Sequence, residues 1–229
     1  MKNLKKLFLG IILLSSSLLI SLFKISYLAG SHKLYLSGMN LLLPLIGLFA
    51  GITNSFLLIP IYFFIKKIAF GGAVTFGIPT LLASTFFALS TKNKNRFLRL
   101  LLSIVLPLIC MALFVLHSVG GIAYLYSFYW FIPVVLSVLS ELKIYKSVFT
   151  DCLITTFISH AVGSVIWLYL GNLPAVCWNG LIPVVAVERL IFACGLNVVY
   201  IFMNKLFFLC NLENSGWNIQ SLWQKKKML

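Results

Sequence analysis

The stretch KKIAFGGAVTFGIPTLLASTFFALSTKNKNR, residues 66–96, poses the question on which the fold turns. Its middle, 69–90, is apolar and long enough at 1.5 Å per residue to cross about 30 Å of hydrocarbon. Yet Lys66 and Lys67 flank it on one side, and Lys92, Lys94, Arg96 and Arg99 on the other. Basic residues gather in cytoplasmic loops, so the rule places both flanks inside. A segment with both ends inside must dip into the membrane and return. Gly71, Gly72, Gly77 and Pro79 interrupt the helix early, and Thr80, Ser84 and Thr85 can bond the freed backbone groups. Such a re-entrant segment is tolerated where protein buries it or where it lines a wet cavity.

The same logic extends along the chain. Apolar runs occupy 7–23, 41–65, 69–90, 97–116, 122–140, 147–170 and 181–209. Of 229 residues, 61% are hydrophobic and 10% charged, and the mean hydropathy is +1.06. A soluble domain carries roughly 25% charged residues, so lipid must be the solvent for much of this surface. Barrel strands would alternate apolar and polar over about ten residues. These runs are longer and apolar all round, so they read as helices. With the amino terminus cytoplasmic, fifteen of the eighteen Lys and Arg fall inside; Lys24 and Lys33 fall outside, and Arg189 lies within a run. The expected architecture is an all-α polytopic membrane protein with six transmembrane helices plus one re-entrant or broken segment. The alternative has seven transmembrane helices and leaves five basic residues outside against twelve inside. Residues 1–209 form one helix bundle, and 210–229 an interfacial tail with Trp217, Trp223 and Lys225 to Lys227. The first run, behind Lys2, Lys5 and Lys6, reads as an uncleaved helix, because small residues are not placed for cleavage near Ala29 or Gly30. Gly47 and Gly51 make a close-packing GxxxG inside 41–65.

A net charge of +14 does not imply nucleic acid, because the basic residues are scattered over short loops rather than gathered in one stripe. Cys110, Cys152, Cys177, Cys194 and Cys210 form no CxxC and no zinc spacing with His, so neither a metal nor another cofactor is expected. No GxxxxGK[ST], HExxH or GxSxG occurs, and no catalytic residues are assigned.

Four acidic residues exist. Glu141, Asp151 and Glu213 read as solvated edge residues: Glu141 beside Lys143 or Lys146, and Asp151 in a helix's first turn. Glu188 and Arg189 are different, because they lie inside an apolar run. Charge at that depth is costly, so they should face the bundle interior with a partner. A step of 100° separates neighbours on a helix, so the two are expected to find partners elsewhere rather than pair with each other. The turn before the last run centres near Pro174. His160 precedes it by 14 residues and Glu188 follows it by 14, which sets them at one depth in an antiparallel hairpin. Thr156, His160 and Ser164 form a polar stripe, with Gly163 beside it. The expectation is that His160 meets Glu188, with Asn197 deeper, and that the carboxylate makes His160 responsive to pH. Tyr129, Trp130 and Trp167, with Tyr124, Tyr126, Tyr169 and Trp178, form either an interfacial belt or a pocket for a flat ligand above that level. The candidate substrate-binding residues are therefore His160, Ser164, Trp167, Glu188, Arg189, Asn197, Tyr129 and Trp130. The competing reading of the buried pair is a structural contact that fixes helix register.

In size and layout the chain resembles the substrate-binding S components of energy-coupling-factor vitamin transporters. The resemblance spans most of the chain and carries over no functional residue. It implies a binder of a small vitamin-like molecule, working with separate ATPase and transmembrane coupling subunits. The expected role is thus a small-solute transporter or substrate-binding membrane subunit with an outward-facing pocket. It would sit in the lipid bilayer of the cell (inner) membrane with both termini cytoplasmic. The alternatives are an intramembrane enzyme using His160 and Glu188, or a non-catalytic assembly or lipid-handling protein.

Overall fold

A computed structural model of the chain describes residues 2–22, 24–27, 35–70, 77–171 and 173–209. The helices are α1 (Lys2–Ile20), α2 (Met39–Phe49), α3 (Ile52–Phe70), α4 (Gly77–Thr91), α5 (Arg96–Leu100), α6 (Leu106–Leu116), α7 (Ser118–Ile122), α8 (Phe131–Glu141), α9 (Val148–Leu170) and α10 (Ala175–Leu209). A π-helical turn (Leu101–Val105) joins α5 to α6, and a 3-10 helix (Tyr124–Trp130) leads into α8. A short antiparallel pair, β1 (Lys24–Tyr27) with β2 (Tyr35–Ser37), links α1 to α2. The sequence reading placed no strand there. Four helical stretches are long and apolar enough to cross a membrane: Arg96–Leu116, Tyr124–Glu141, Val148–Leu170 and Ala175–Phe207. The chain is therefore a helical membrane protein. Lys6–Ile20, Met39–Phe49 and Gly77–Thr91 are shorter apolar helices.

The run 41–65 is not one span, contrary to the sequence reading. It folds back on itself at Gly51, whose φ of +96° suits a residue without a Cβ. Polar side chains just past the turn bond the backbone that it frees. Asn54 Nδ2 donates to the Ala50 carbonyl at 2.8 Å, and Ser55 Oγ to that of Ile52 at 2.7 Å. The two arms then run antiparallel. The Tyr62 hydroxyl and Lys66 Nζ both reach Met39 Sδ, at 3.1 and 3.3 Å, so mid-α3 lies beside the start of α2. Of the two expected close-packing glycines, only Gly47 packs closely. Its N–H donates to Ser84 Oγ at 2.8 Å, and a Cβ there would sit 2.6 Å from the Ser84 carbonyl oxygen. Gly51 has nothing within 4 Å of a built Cβ and makes the turn instead.

The folded hairpin changes the reading of 69–90. Residues 71–76 lie outside the described residues, but α4 runs one way. Gly77 faces Phe63 of α3, Ser84 meets Gly47, and Lys92, just past α4, donates from Nζ to the Leu48 carbonyl at 2.6 Å. Lys66 thus lies at the Met39 end of α2 and Lys92 at the Leu48 end, about 13 Å apart along that helix. They lie toward opposite ends of α2, and the chain folds back within 41–65. Eleven of the fifteen residues of α4 are buried, mostly against α2 and α9. One apolar core joins α1 to α4 with the start of α9 and the end of α10; a second joins α6, the 3-10 helix, the end of α9 and the start of α10. The tail 210–229, with Cys210 and Glu213, lies outside the described residues.

Cysteine labelling in a variant without native cysteines tests the hairpin. Reagents that do not cross the membrane are expected to label Lys66→Cys and Lys92→Cys from opposite faces. Labelling of both from one face would restore the re-entrant reading of 69–90. Lys92 also gives a pH signature. Burial, with the charges of Lys6 and Lys94, lowers its pKa to about 8 from 10.5. Between these values the unfolded chain holds a proton that the folded chain lacks, so stability rises with pH across that window. The melting temperature is expected to rise more from pH 7.5 to 9.5, values chosen at roughly the window's edges, than it does in Lys92→Met.

Candidate functional site

The buried positions of α10 recur as Leu181, Val185, Arg189, Phe192, Leu196 and Tyr200, one stripe of a 3.6-residue helix. Val187, Leu190, Ile191 and Val198 face outward. Arg189 therefore points into the bundle by its place in the pattern, and it is only 7% exposed. Its guanidinium lies 5.1 Å over the Phe192 ring. Nη2 is 3.6 Å from Glu188 Oε2, which corrects the expectation that these neighbours do not pair. Both side chains are long enough to bridge the 100° step between them. Arg189 Nε is buried and has no hydrogen-bond partner among the described residues.

His160 is held by the 3-10 helix. Trp130 Nε1 donates to its Nδ1 at 3.1 Å, and the Tyr126 hydroxyl lies 2.8 Å from its Nε2. Tyr126 also meets Ser164 Oγ at 3.1 Å. Indole nitrogen only donates, so Nδ1 must present a lone pair. A neutral ring then carries its proton on Nε2 and donates to Tyr126, which leaves the phenolic proton for Ser164. The chain of bonds runs in one direction, from Trp130 to His160 to Tyr126 to Ser164. This replaces the expected His160–Glu188 contact and its pH response. Both ring nitrogens are engaged by neutral groups, and protonating Nδ1 would break the Trp130 bond. The charge that acts on His160 is that of Arg189, while Tyr126 feels both Arg189 and Glu188. His160 and Tyr126 thus both lie within reach of the Arg189 charge.

The aromatic residues divide. Tyr126, Trp130 and Trp178 are buried at 3%, 0% and 2% exposure and pack on Phe114, with ring centroids 5.3–5.5 Å away. Together they form a closed plug over His160, neither a belt nor an open pocket. Trp178 Nε1 is buried without a partner among the described residues. Tyr124 and Tyr169 are half exposed, as a belt requires. Tyr129 donates to the Ile182 carbonyl at 2.6 Å, away from His160. Trp167 packs on Gly171, where a Cβ would lie 2.6 Å from its ring. Asn197 is two turns beyond Arg189 on α10, about 12 Å along the axis, and does not join the cluster.

A second polar place lies toward the opposite ends of α8 and α9, and the sequence reading missed it. Asp151 is 4% exposed and accepts from Ser90 Oγ at 2.6 Å. It does not cap α9; Ser147 does, accepting from the Thr150 N–H at 3.1 Å. Glu141 pairs with Arg99 and with Arg96 rather than with Lys143 or Lys146. A pocket with room for about one water molecule lies among Ser90, Arg99, Ser103, Ser137, Glu141 and Asp151. Its signal in the sequence is three polar pairs at i, i+4: Arg99 with Ser103, Ser137 with Glu141, and Asp151 with Thr155. Among the described residues no three His, Cys, Asp or Glu side chains gather as they would around a metal.

No family model, no curated protein and no solved structure matches this chain. The geometry alone therefore carries the assignment, and Tyr126 is its first test. Tyr126→Phe leaves the His160 N–H and the Ser164 hydroxyl without their partner in a dry site. A loss of about 1–3 kcal/mol is expected in unfolding measurements on detergent-purified protein.

Proposed function

We propose that the chain is a multi-pass subunit of the cell membrane that binds a small anionic solute at the level of Arg189, Tyr126 and His160, for transport. One observation carries the reading: Arg189 Nε and Trp178 Nε1 are buried donors with no acceptor among the described residues, and both neighbour Tyr126. Buried donors are seldom left unpaired, because each costs about 1–3 kcal/mol. A carboxylate or phosphate would supply the missing acceptors and complement the cation. Glu188 offsets part of the Arg189 charge. Access requires the 3-10 helix carrying Tyr126 and Trp130 to move, and seven residues is long for that weakly bonded helix. Both nitrogens of His160 are held by Tyr126 and Trp130, which favours a positioning role over general-base chemistry.

The orientation that we propose keeps both termini in the cytoplasm. The α2–α3 hairpin then enters from outside, among six spans. Moving Lys66 and Lys67 outside leaves thirteen basic residues inside and four outside, still a strong positive-inside bias. This layout accords with a substrate-binding subunit that relies on separate ATPase and coupling subunits.

A thermal-shift screen of carboxylates and phosphates on the purified protein tests the site. A bound solute at a hundredfold excess over its Kd should stabilise by about 2.7 kcal/mol. Arg189→Met, made together with Glu188→Gln so that no buried carboxylate loses its cation, is expected to fold with a change below about 1–2 kcal/mol. It should also lose the stabilisation. A solute that stabilises this double variant as much as the parent would place binding elsewhere.

A further inference from the structure

The Asp151 pocket is independent of the site above; nine residues of α9, about 13 Å, separate Asp151 from His160. Its walls come from the end of α4, the π turn, the end of α8 and the start of α9. The charges in it balance unequally. Arg99 is committed, with Nη2 on Glu141 and Nη1 on Asn93 Oδ1 at 2.7 Å. Arg96 also serves Glu141. Asp151 has no cation within ion-pair distance among the described residues, and one hydroxyl, that of Ser90, donates to it. A buried carboxylate with one donor is under-satisfied, and the pocket beside it is where the remainder must come from.

The hydroxyls indicate which kind of ligand fits. Ser90 has given its proton to Asp151, and Ser103 has given its own to the Arg99 carbonyl at 2.9 Å. What Ser90 and Ser103 still offer is lone pairs. Ser137 Oγ lines the same pocket, on a residue 5% exposed, and has no partner among the described residues. Oxygen acceptors around one unpaired carboxylate suit a hard cation and do not suit an anion. A single negative charge and a neighbouring guanidinium disfavour a divalent ion. The room, about that of one water, fits a dehydrated ion of sodium's size.

We propose that Asp151, Ser90, Ser103 and Ser137 form a binding site for one monovalent cation, sodium in size, at the end of the bundle that carries Arg99 and Glu141. The cation would complete the charge balance of Asp151 and take the spare lone pairs of the three serines.

Binding is measured directly with radioactive sodium on the full chain in detergent, and indirectly by melting in sodium chloride against choline chloride at equal ionic strength. Saturable binding near one ion per chain is expected. The melting temperature should rise by roughly 3–6 °C per tenfold of sodium above its dissociation constant. Asp151→Asn should abolish both effects. Ser137→Ala removes an oxygen that holds nothing else in place, so the variant should fold and bind sodium at least tenfold more weakly. Equal melting in sodium and choline would overturn the proposal, as would sodium binding unchanged in Ser137→Ala. Stabilisation that follows pH and ignores sodium would mean that Asp151 holds a proton instead, and would also overturn it.

Discussion

A helix packed on nearly every side inside a membrane has no water to satisfy its polar groups, and α9 is such a helix. Twelve of its 23 residues are buried, among them Asp151, Thr155, Thr156 and Ser164. Each must bond within the protein or leave a polar group stranded in a low-dielectric interior. The small ones turn back on their own helix: Thr155 donates to the Asp151 carbonyl and Thr156 to that of Leu153. Asp151, His160 and Ser164 cannot do so, and their needs dictate what surrounds them. Ser90 is brought to Asp151 from α4, and Tyr126 and Trp130 are brought to His160 and Ser164 from the 3-10 helix. The bundle is arranged around these obligations. Lipid gives no hydrophobic drive for one helix to choose another, so packing and polar contacts decide which helices meet.

The close approach of α2 to α4 rests on the other constraint, shape. Gly47 lets the backbone of α2 reach Ser84, and Ser84 answers with an acceptor for the Gly47 N–H. Any side chain at residue 47 would force the helices apart. With α2 fixed in this way, the hairpin turn at Gly51 sits near the Lys92 end of the bundle. Its start at Met39 lies under Tyr62 and Lys66. A two-armed insert thus occupies the place of one span.

Much of this was legible in the chain. The cost of charge inside an apolar run put Arg189 in the bundle interior, where it is 7% exposed. What failed had physical causes. The charge rule grouped Lys66 and Lys67 with Thr91 to Arg99, whereas Lys66 and Lys92 reach opposite ends of α2. The better signal was Gly51 followed by Asn54 and Ser55, a turn glycine and two backbone-bonding side chains in the middle of an apolar run. His160 was matched to Glu188 by depth across the Pro174 turn, and depth does not say which side chains touch. Trp130 decided it instead, since an indole needs an acceptor when buried and a neutral imidazole nitrogen supplies one. The Asp151 pocket escaped notice because its seven polar walls come from four separate places in the chain, none conspicuous alone.

Between the two polar places the bundle is dry. Ile154, Phe157 and Ile158 of α9 are all but fully buried, and Leu136 of α8 packs against this layer. No continuous polar path joins His160 to Asp151 among the described residues. The stretch Tyr124–Glu141 touches both places, with Trp130 at His160 and with Ser137 and Glu141 at the pocket. Its weakest hydrogen bonding lies in the 3-10 portion at the His160 end. Its other end is anchored by Glu141 on two arginines. The hydrogen bonding of this stretch is therefore weaker at the aromatic plug than at the end that Glu141 pins to Arg96 and Arg99.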